Sequence, residues 1–311
     1  MFQGILAIDK PIGLRSSYCV EQLRKIIGKG VKLGHGGTLD STASGVLVML
    51  FGGATRLSDL VIRMPKTYRA VLRLGVETST WDYSGDVTKT SDYKGVTASD
   101  IDGRIPSFLG WRMQLPPEVS AVHVKGRRAH EIFRFGQNPE IRPRPVFVEY
   151  ITRTADISDG KVELLIRCGK GAYVRAIARD FGRILGCGAH IASLRREAVG
   201  HFTLKDAFSW PEDISAASCA LESMIRPAGD IGRFIPVYTV SGDLASHLSN
   251  GRNAPLDPIS RISCGHMCPP GIAAVSTDSI LSVGRINETA EGLFIRPEIN
   301  IKLEQSGESP A

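Results

Sequence analysis

The residues with the clearest chemical potential lie in four short stretches whose polar side chains apolar packing does not require. These are "DKPIG" at 9–13, "GHGGTLDSTASGVL" at 34–47, "KTYR" at 66–69 and "CGKGAYVRAIARD" at 168–180. The second holds a single acid, Asp40, among Gly34, Gly36 and Gly37, His35 and several small hydroxyl residues. A lone carboxylate suits a nucleophile, or a stabiliser of developing positive charge, better than a general acid/base pair. Glycine backbone lets a large ligand come close to the main chain without side-chain clashes. A solvated turn has the same composition, and a turn aspartate is the simpler reading of this loop taken alone.

Composition limits what such a loop could serve. With 311 residues, 42% hydrophobic and 23% charged, the chain reads as an ordinary globular protein of one large domain or two unequal ones. No apolar run approaches the ~20 residues of a membrane span. The opening "MFQGILAIDKP" lacks the basic start and apolar core of a signal peptide, and the six cysteines are scattered. A cytoplasmic chain with reduced thiols is therefore expected. The net charge of +6 is uneven. Residues 121–200 carry 15 Lys and Arg against 8 Asp and Glu, a net of +7, whereas 226–311 carry 7 against 9, a net of −2. A local basic excess fits a polyanionic partner such as nucleic acid, or a solvated basic face.

The elements that must position these residues alternate. "GILAID" reads as a strand and "SSYCVEQLRKIIGKG" as a helix with a serine cap and a closing glycine. The Asp40 loop then runs into the apolar strand "GVLVML", and "ATRLSDLVIRM" is a short helix. In "TYRAVLRLGV", Tyr68, Ala70, Leu72 and Leu74 share one face of a strand. "SAVHVKG", "RPVFVEYI" and "KVELLIRC" read as strands, "GRRAHEIFRFG" and "AYVRAIARDFGRILG" as helices, and "SLRREAVGHFTL" as a late strand. The mixture predicts an α+β domain rather than a βαβ repeat. After about residue 228 the texture becomes Gly-, Pro- and Ser-rich, with short strands in "GIAAVS", "SILSVGRI" and "GLFIRPEI", the pattern of a small β domain or barrel.

The four stretches, with "KTYRAVLRLGVETSTWDYSGDV", "PPEVSAVHVKGRRAHE" and "GCGAHIASLRREAVGHF", resemble in order the pseudouridine synthases of the TruB type, which modify a uridine in the tRNA T-loop. The resemblance spans about residues 4–205. It implies a pseudouridine synthase fold, with a central mixed or antiparallel sheet flanked by helices and a small PUA-like β domain. The expected division is 1–228 for catalysis and 229–311 for the appended domain, ending in a frayed tail. Asp40 matches the catalytic aspartate, Tyr68 the tyrosine that stacks on the flipped uracil and could help remove its carbon-5 proton, and Arg175 the arginine paired with the aspartate. Tyr173 and Leu194 match residues of the uracil pocket, His35 a histidine that enters the T-loop, and Asp82 a position that contacts the RNA or the rearranging nucleotide. Lys10, Pro11 and Gly37 match supports of the loop. No metal, cofactor or obligate protein partner is implied. The expected partner is the T-arm stem-loop of tRNA, with no membrane and a monomeric enzyme.

The pattern also has departures. Gly36 replaces a usual Thr or Ser and Ser41 a usual proline, which predicts a looser loop. Val119 stands where tyrosine is frequent, and Arg15 where a small residue is usual. "CGHMC" at 264–268 offers three ligand-type residues but no second pair, a poor tetrahedral zinc site. Two rival classes are weighed: a catalytically silent RNA-binding module, against which Asp40, Tyr68 and Arg175 stand together, and an aspartate-nucleophile hydrolase, for which a metal or base constellation is not evident.

Overall fold

The computed structural model describes residues 2–28, 30–120, 122–124, 126–137, 139–239, 244–256, 270–277, 279–290 and 292–303. "CGHMC" and the tail "EQSGESPA" lie outside the described residues. The organising element is the strand Ala43–Phe51, which is buried along nearly its whole length. Alternation sends Val46, Val48 and Leu50 to one side, onto Val61, Phe202, Leu281 and Ile301. It sends Leu47, Met49 and Phe51 to the other, onto Cys19, Leu23 and Phe208. A strand covered on both faces needs a continuous apolar run, which "GVLVMLF" supplies.

Around it lies a ten-stranded mixed sheet. Its main path runs Phe208–Ser209, Gly4–Lys10, Ala43–Phe51, Ala189–Val199, Lys66–Leu74, Lys161–Cys168, Arg144–Arg153 and Gly110–Gln114. Leu33–His35 pairs with Ala43–Phe51, and Phe202–Thr203 with Ala189–Val199. The pairings of Ala189–Val199 with Ala43–Phe51 and of Gly4–Lys10 with Phe208–Ser209 are parallel; the other pairings in the sheet are antiparallel. Ala70, Leu72 and Leu74 pack with Leu164 and Ile166 against Val174, Ile177 and Phe181 of the helix Val174–Ile184. The fold is the mixed α+β arrangement expected from the sequence. The edge strand Gly110–Gln114 and the helix Ala98–Arg104 were not anticipated.

The helix Ser16–Ile27 buries Ser16, Cys19, Leu23 and Ile27 and ends at Gly28, whose φ of 79° suits glycine. Its N-cap is Arg15, without a side-chain cap. Ser16 is not the cap that its position suggests. Its hydroxyl donates to the carbonyl of Leu39 and accepts from the Leu39 amide, both at 3.0 Å, and so braces the Asp40 loop.

C-terminal to this body, Val237–Thr239, Ile272–Ser276, Ile280–Thr289, Gly292–Lys302 and Ala254–Pro255 form a five-stranded sheet in that order. One of its cores gathers Tyr238, Leu248, Val275 and Ile295. Ala274, Leu281, Val283 and Ile301 instead join the core beneath Val46, Val48 and Leu50. The β-rich C-terminal segment is thus present, and its packing is continuous with that of the larger sheet.

Candidate active site

Asp40 sits at the end of the loop that leads from the strand Leu33–His35 into Ala43–Phe51. Its side chain is 43% exposed and meets Arg175, which is 6% exposed, with Nη2 to Oδ2 at 2.8 Å. Arg175 lies in the first turn of the helix Val174–Ile184. Its Nη1 donates to the carbonyl of Thr80 at 3.1 Å and its Nη2 to that of Val119 at 3.0 Å. A planar guanidinium held on two carbonyls offers a carboxylate a fixed direction of approach. The Val119 contact is through its main chain, so the exchange of a frequent tyrosine for valine leaves this bond intact.

Asp82 completes the anchor. Its Oδ2 lies 3.8 Å from Nε of Arg175, and its side chain is only 6% exposed. Its oxygens accept from Thr80 and Ser84 hydroxyls, the Ser84 amide and the Thr42 hydroxyl. Burial works against its charge, yet the Ser84 and Thr80 hydrogen bonds and the Arg175 charge hold its carboxyl below the usual range. Thr42 belongs to the Asp40 loop, so Asp82 bonds that loop and faces the arginine as well.

Tyr68 and Leu194 come from adjacent strands. Tyr68 lies opposite Arg196, and Leu194 opposite both Ala70 and Ala43. Both are half-buried against the core of the larger sheet. Burial raises the Tyr68 hydroxyl above its ordinary value, against the opposing charge of Arg196. Tyr173 is the N-cap residue of the Arg175 helix. The Gln114 carboxamide accepts from its amide at 2.8 Å and donates to its carbonyl at 3.2 Å. Burial also raises the Tyr173 hydroxyl. The Asp40 charge also acts on the Tyr68 and Tyr173 hydroxyls and on Lys10.

The loop is held from below. Lys10 is fully buried, and its ammonium donates to the carbonyls of Ala43 at 2.6 Å, Leu14 at 2.8 Å and Pro11 at 2.9 Å. Burial lowers its pKa to about 8. The Gly13 amide donates to the carbonyl of Ser41 at 2.8 Å, so the position that lacks proline is tied through its backbone. Gly37 has a φ of 112°, which favours glycine. Gly36 has a different reason for its missing side chain: a Cβ there would stand 2.1 Å from Cγ1 of Val61. Its close neighbour is this core valine, so a Thr or Ser at this position would have to displace it.

His35 lies apart from the Asp40 cluster. It pairs with Met49 and lines a cavity of about 450 Å³ with Arg24, Lys32, Gly34, Thr55 and Ser58. Burial, and then the Arg196 charge, lower its pKa. Among the described residues its Nδ1 is buried without a hydrogen-bond partner. No group of three or more His, Cys, Asp and Glu among the described residues could hold a metal ion. No helix among them is long and apolar enough to cross a membrane.

Comparison with known proteins places the chain in a family. The pattern of the TruB family pseudouridylate synthase N-terminal domain matches residues 24–174, and that of the tRNA pseudouridylate synthase B C-terminal domain matches 175–231. A tRNA pseudouridine synthase B of Dinoroseobacter shibae is 40% identical over 250 residues, covering 80% of this chain and 81% of the relative. One of Cupriavidus pinatubonensis is 35% identical over 309 residues, covering 96% and 94%. A crystal structure of a Cbf5–Nop10–Gar1 complex contains a chain alike in fold, with a TM-score of 0.71 at 24% identity, covering 96% of this chain and 84% of that one. With family patterns across residues 24–231 and relatives alike over most of its length, the chain belongs to the TruB family of pseudouridylate synthases.

Proposed function

We propose that this chain converts one uridine in the T-loop of tRNA to pseudouridine, with Asp40 as the reactive carboxylate. The supporting observation is the unequal ion pair, an accessible Asp40 oriented at 2.8 Å by a buried, doubly anchored Arg175. The reaction is an isomerisation. The bond between uracil N1 and the ribose C1′ breaks, the base turns, and C5 bonds to C1′. C5 then loses its proton and N1 gains one, so no atom is added or lost. An anionic carboxylate beside the anomeric carbon serves as nucleophile or as stabiliser of its positive character.

The target base must leave its folded loop before it can reach Asp40. In this reading Tyr68 stacks on the extruded uracil, a contact worth roughly 1–3 kcal/mol per base. Tyr173 and Leu194 wall the pocket, and His35 contacts the T-loop from its neighbouring cavity. Asp82 holds Arg175 in place, a role its burial favours over direct contact with the nucleotide. Lys10, Pro11 and Gly37 support the loop. Residues 1–228 supply the reacting groups and 229–311 an accessory surface, in a cytoplasmic monomer that needs no protein partner or cofactor. Purified protein incubated with unmodified tRNA, followed by single-nucleotide mapping, should place pseudouridine at one T-loop position. Modification elsewhere, or none, contradicts the proposal.

A further inference from the structure

The strand Ala189–Val199 lies between the strand that leaves the Asp40 loop and the strand that carries Tyr68. Arg196, like Leu194 and Arg195 before it, pairs with both, and it lies opposite Gly45 on one side and Tyr68 on the other. Its register shifts at this point, between Arg196 and Ala198. Gly45 has a φ of 111°, and a Cβ there would stand 2.1 Å from the Arg196 carbonyl, so the two backbones fit only because residue 45 is glycine. The Arg196 side chain is 1% exposed. Its Nε donates to the carbonyl of Val46 at 2.7 Å, Nη1 to that of Thr38 at 3.2 Å and Nη2 to that of Gly37 at 3.2 Å. Tyr68 is its cross-strand neighbour, and the Arg196 charge acts on the Tyr68 hydroxyl.

A buried guanidinium bonded to neutral carbonyls is an expensive way to fill a core, because the charge loses its hydration and no salt bridge with a carboxylate is formed among the described residues. What the arrangement does provide is geometric. One planar, five-donor group spans the main chain just before Asp40 and the start of the following strand, from a position opposite Tyr68. We propose that Arg196 is a positioning residue that sets the Asp40 loop against the ring of Tyr68. Lysine cannot substitute for it, since an ammonium is a point donor and cannot reach along three directions in one plane. The inference deepens the proposed reaction and rests on it for its kinetic consequences, but the placement of the loop can be read without any turnover.

The test compares wild type, Arg196→Lys and Arg196→Met, each also with Tyr68→Phe. The first readout is amide hydrogen exchange. In Arg196→Lys, exchange at residues 36–43 should accelerate at least tenfold, while the Ile280–Thr289 and Gly292–Lys302 strands keep their protection. The second readout is single-turnover pseudouridine formation at saturating T-arm RNA, beside the RNA Kd. The rate should fall about 100-fold, the scale of a misplaced reacting group, with Kd changed less than threefold. The loss should be smaller in the Tyr68→Phe background, because the two residues act together. Unchanged exchange at 36–43, a wild-type turnover rate, or a fully additive loss overturns the proposal. Failure of both Arg196 variants to fold also overturns it, since Arg196 would then support the whole core rather than the loop. If wild type itself makes no pseudouridine, the proposed reaction fails while hydrogen exchange still decides the role of Arg196.

Discussion

Asp40 is the accessible half of its pair and Arg175 the anchored half. The arginine is bonded to Thr80 and Val119 carbonyls and faces Asp82, whereas the aspartate stays accessible. Tyr68 is harder to assign, because it is half-buried against the core and both a stacking and a packing role fit that position. The two roles separate by substitution. Tyr68→Phe keeps the ring, so a residue that only stacks tolerates it, while Tyr68→Leu removes the π-face and should slow single turnover at least tenfold. If the hydroxyl moves the carbon-5 proton, both variants fail at the chemical step. A Leu variant with wild-type turnover makes Tyr68 a core residue. The resemblance named Asp40, Tyr68 and Arg175 because each sits in a distinctive run of residues, and the ion pair of Asp40 with Arg175 is the contact among them that the structure displays. Arg196 was not, because "SLRREAV" presents two adjacent arginines and strand alternation alone does not say which one turns inward. The partners of the strand decide it. Val119 illustrates the opposite limit, since an altered side chain drew attention where the main-chain carbonyl makes the bond.

At the scale of the element, the Asp40 loop is clamped on both sides of the aspartate by groups distant in sequence, Ser16 and Arg196 at residues 37–39 and Lys10 at Ala43. The central strands and the helices Ser16–Ile27 and Val174–Ile184 were readable from periodicity, whereas the strand Gly110–Gln114 and the helix Ala98–Arg104 were not. The clamps were not, because a buried lysine or a serine bonding a loop leaves no periodic trace. Gly36 packs on Val61, so Gly36→Thr should overpack this junction and cost about 1–3 kcal/mol of stability. Adding Val61→Ala should recover much of that loss in a denaturant titration; a Thr variant as stable as wild type contradicts the packing. The helix Ser58–Arg63 that carries Val61 ends on a second buried lysine. Lys66 donates to the carbonyls of Val61, Ile62 and Met64, and burial lowers its pKa to about 7. For Lys66 and Lys10 the unfolded chain holds a proton that the folded chain has begun to release above about pH 7 and 8. Stability should therefore rise between about pH 7 and 9. Above about pH 9 the thiols of Cys19 and Cys168, raised by burial to about 11 and 12, offset this gain, because the folded chain then retains protons that the unfolded one has lost. Denaturant midpoints across this range measure the slope, which Lys66→Met should reduce. A wild-type midpoint that falls between pH 7 and 9 contradicts the linkage.

Across the whole molecule, charge and core divide the chain differently. The basic excess of residues 121–200 suggests that the larger sheet and its loops hold most of the RNA, and affinity should then fall steeply with added salt. The apolar core runs through that boundary, because Ile231, Ile235, Leu281, Val283 and Ile301 pack beneath Val46, Val48 and Leu50. A composition shift near residue 228 was visible in the sequence, whereas shared packing is a property of the assembled sheets and was not. A chain ended at residue 228 should consequently lose its cooperative thermal transition, as expected when a core is opened on one whole side. A truncated protein that melts cooperatively near the wild-type temperature contradicts the continuity of the core. The most direct test of the proposed function joins the whole RNA to a single atom pair. Wild type and Asp40→Asn are incubated with unmodified tRNA under single-turnover conditions, pseudouridine is mapped at nucleotide resolution, and tRNA binding is measured in parallel. Wild type should modify one T-loop uridine, and Asp40→Asn should bind tRNA within about threefold of wild type, because phosphate contacts carry most of the affinity, yet form no detectable product. Wild-type turnover by pure Asp40→Asn protein would contradict the role given to this carboxylate.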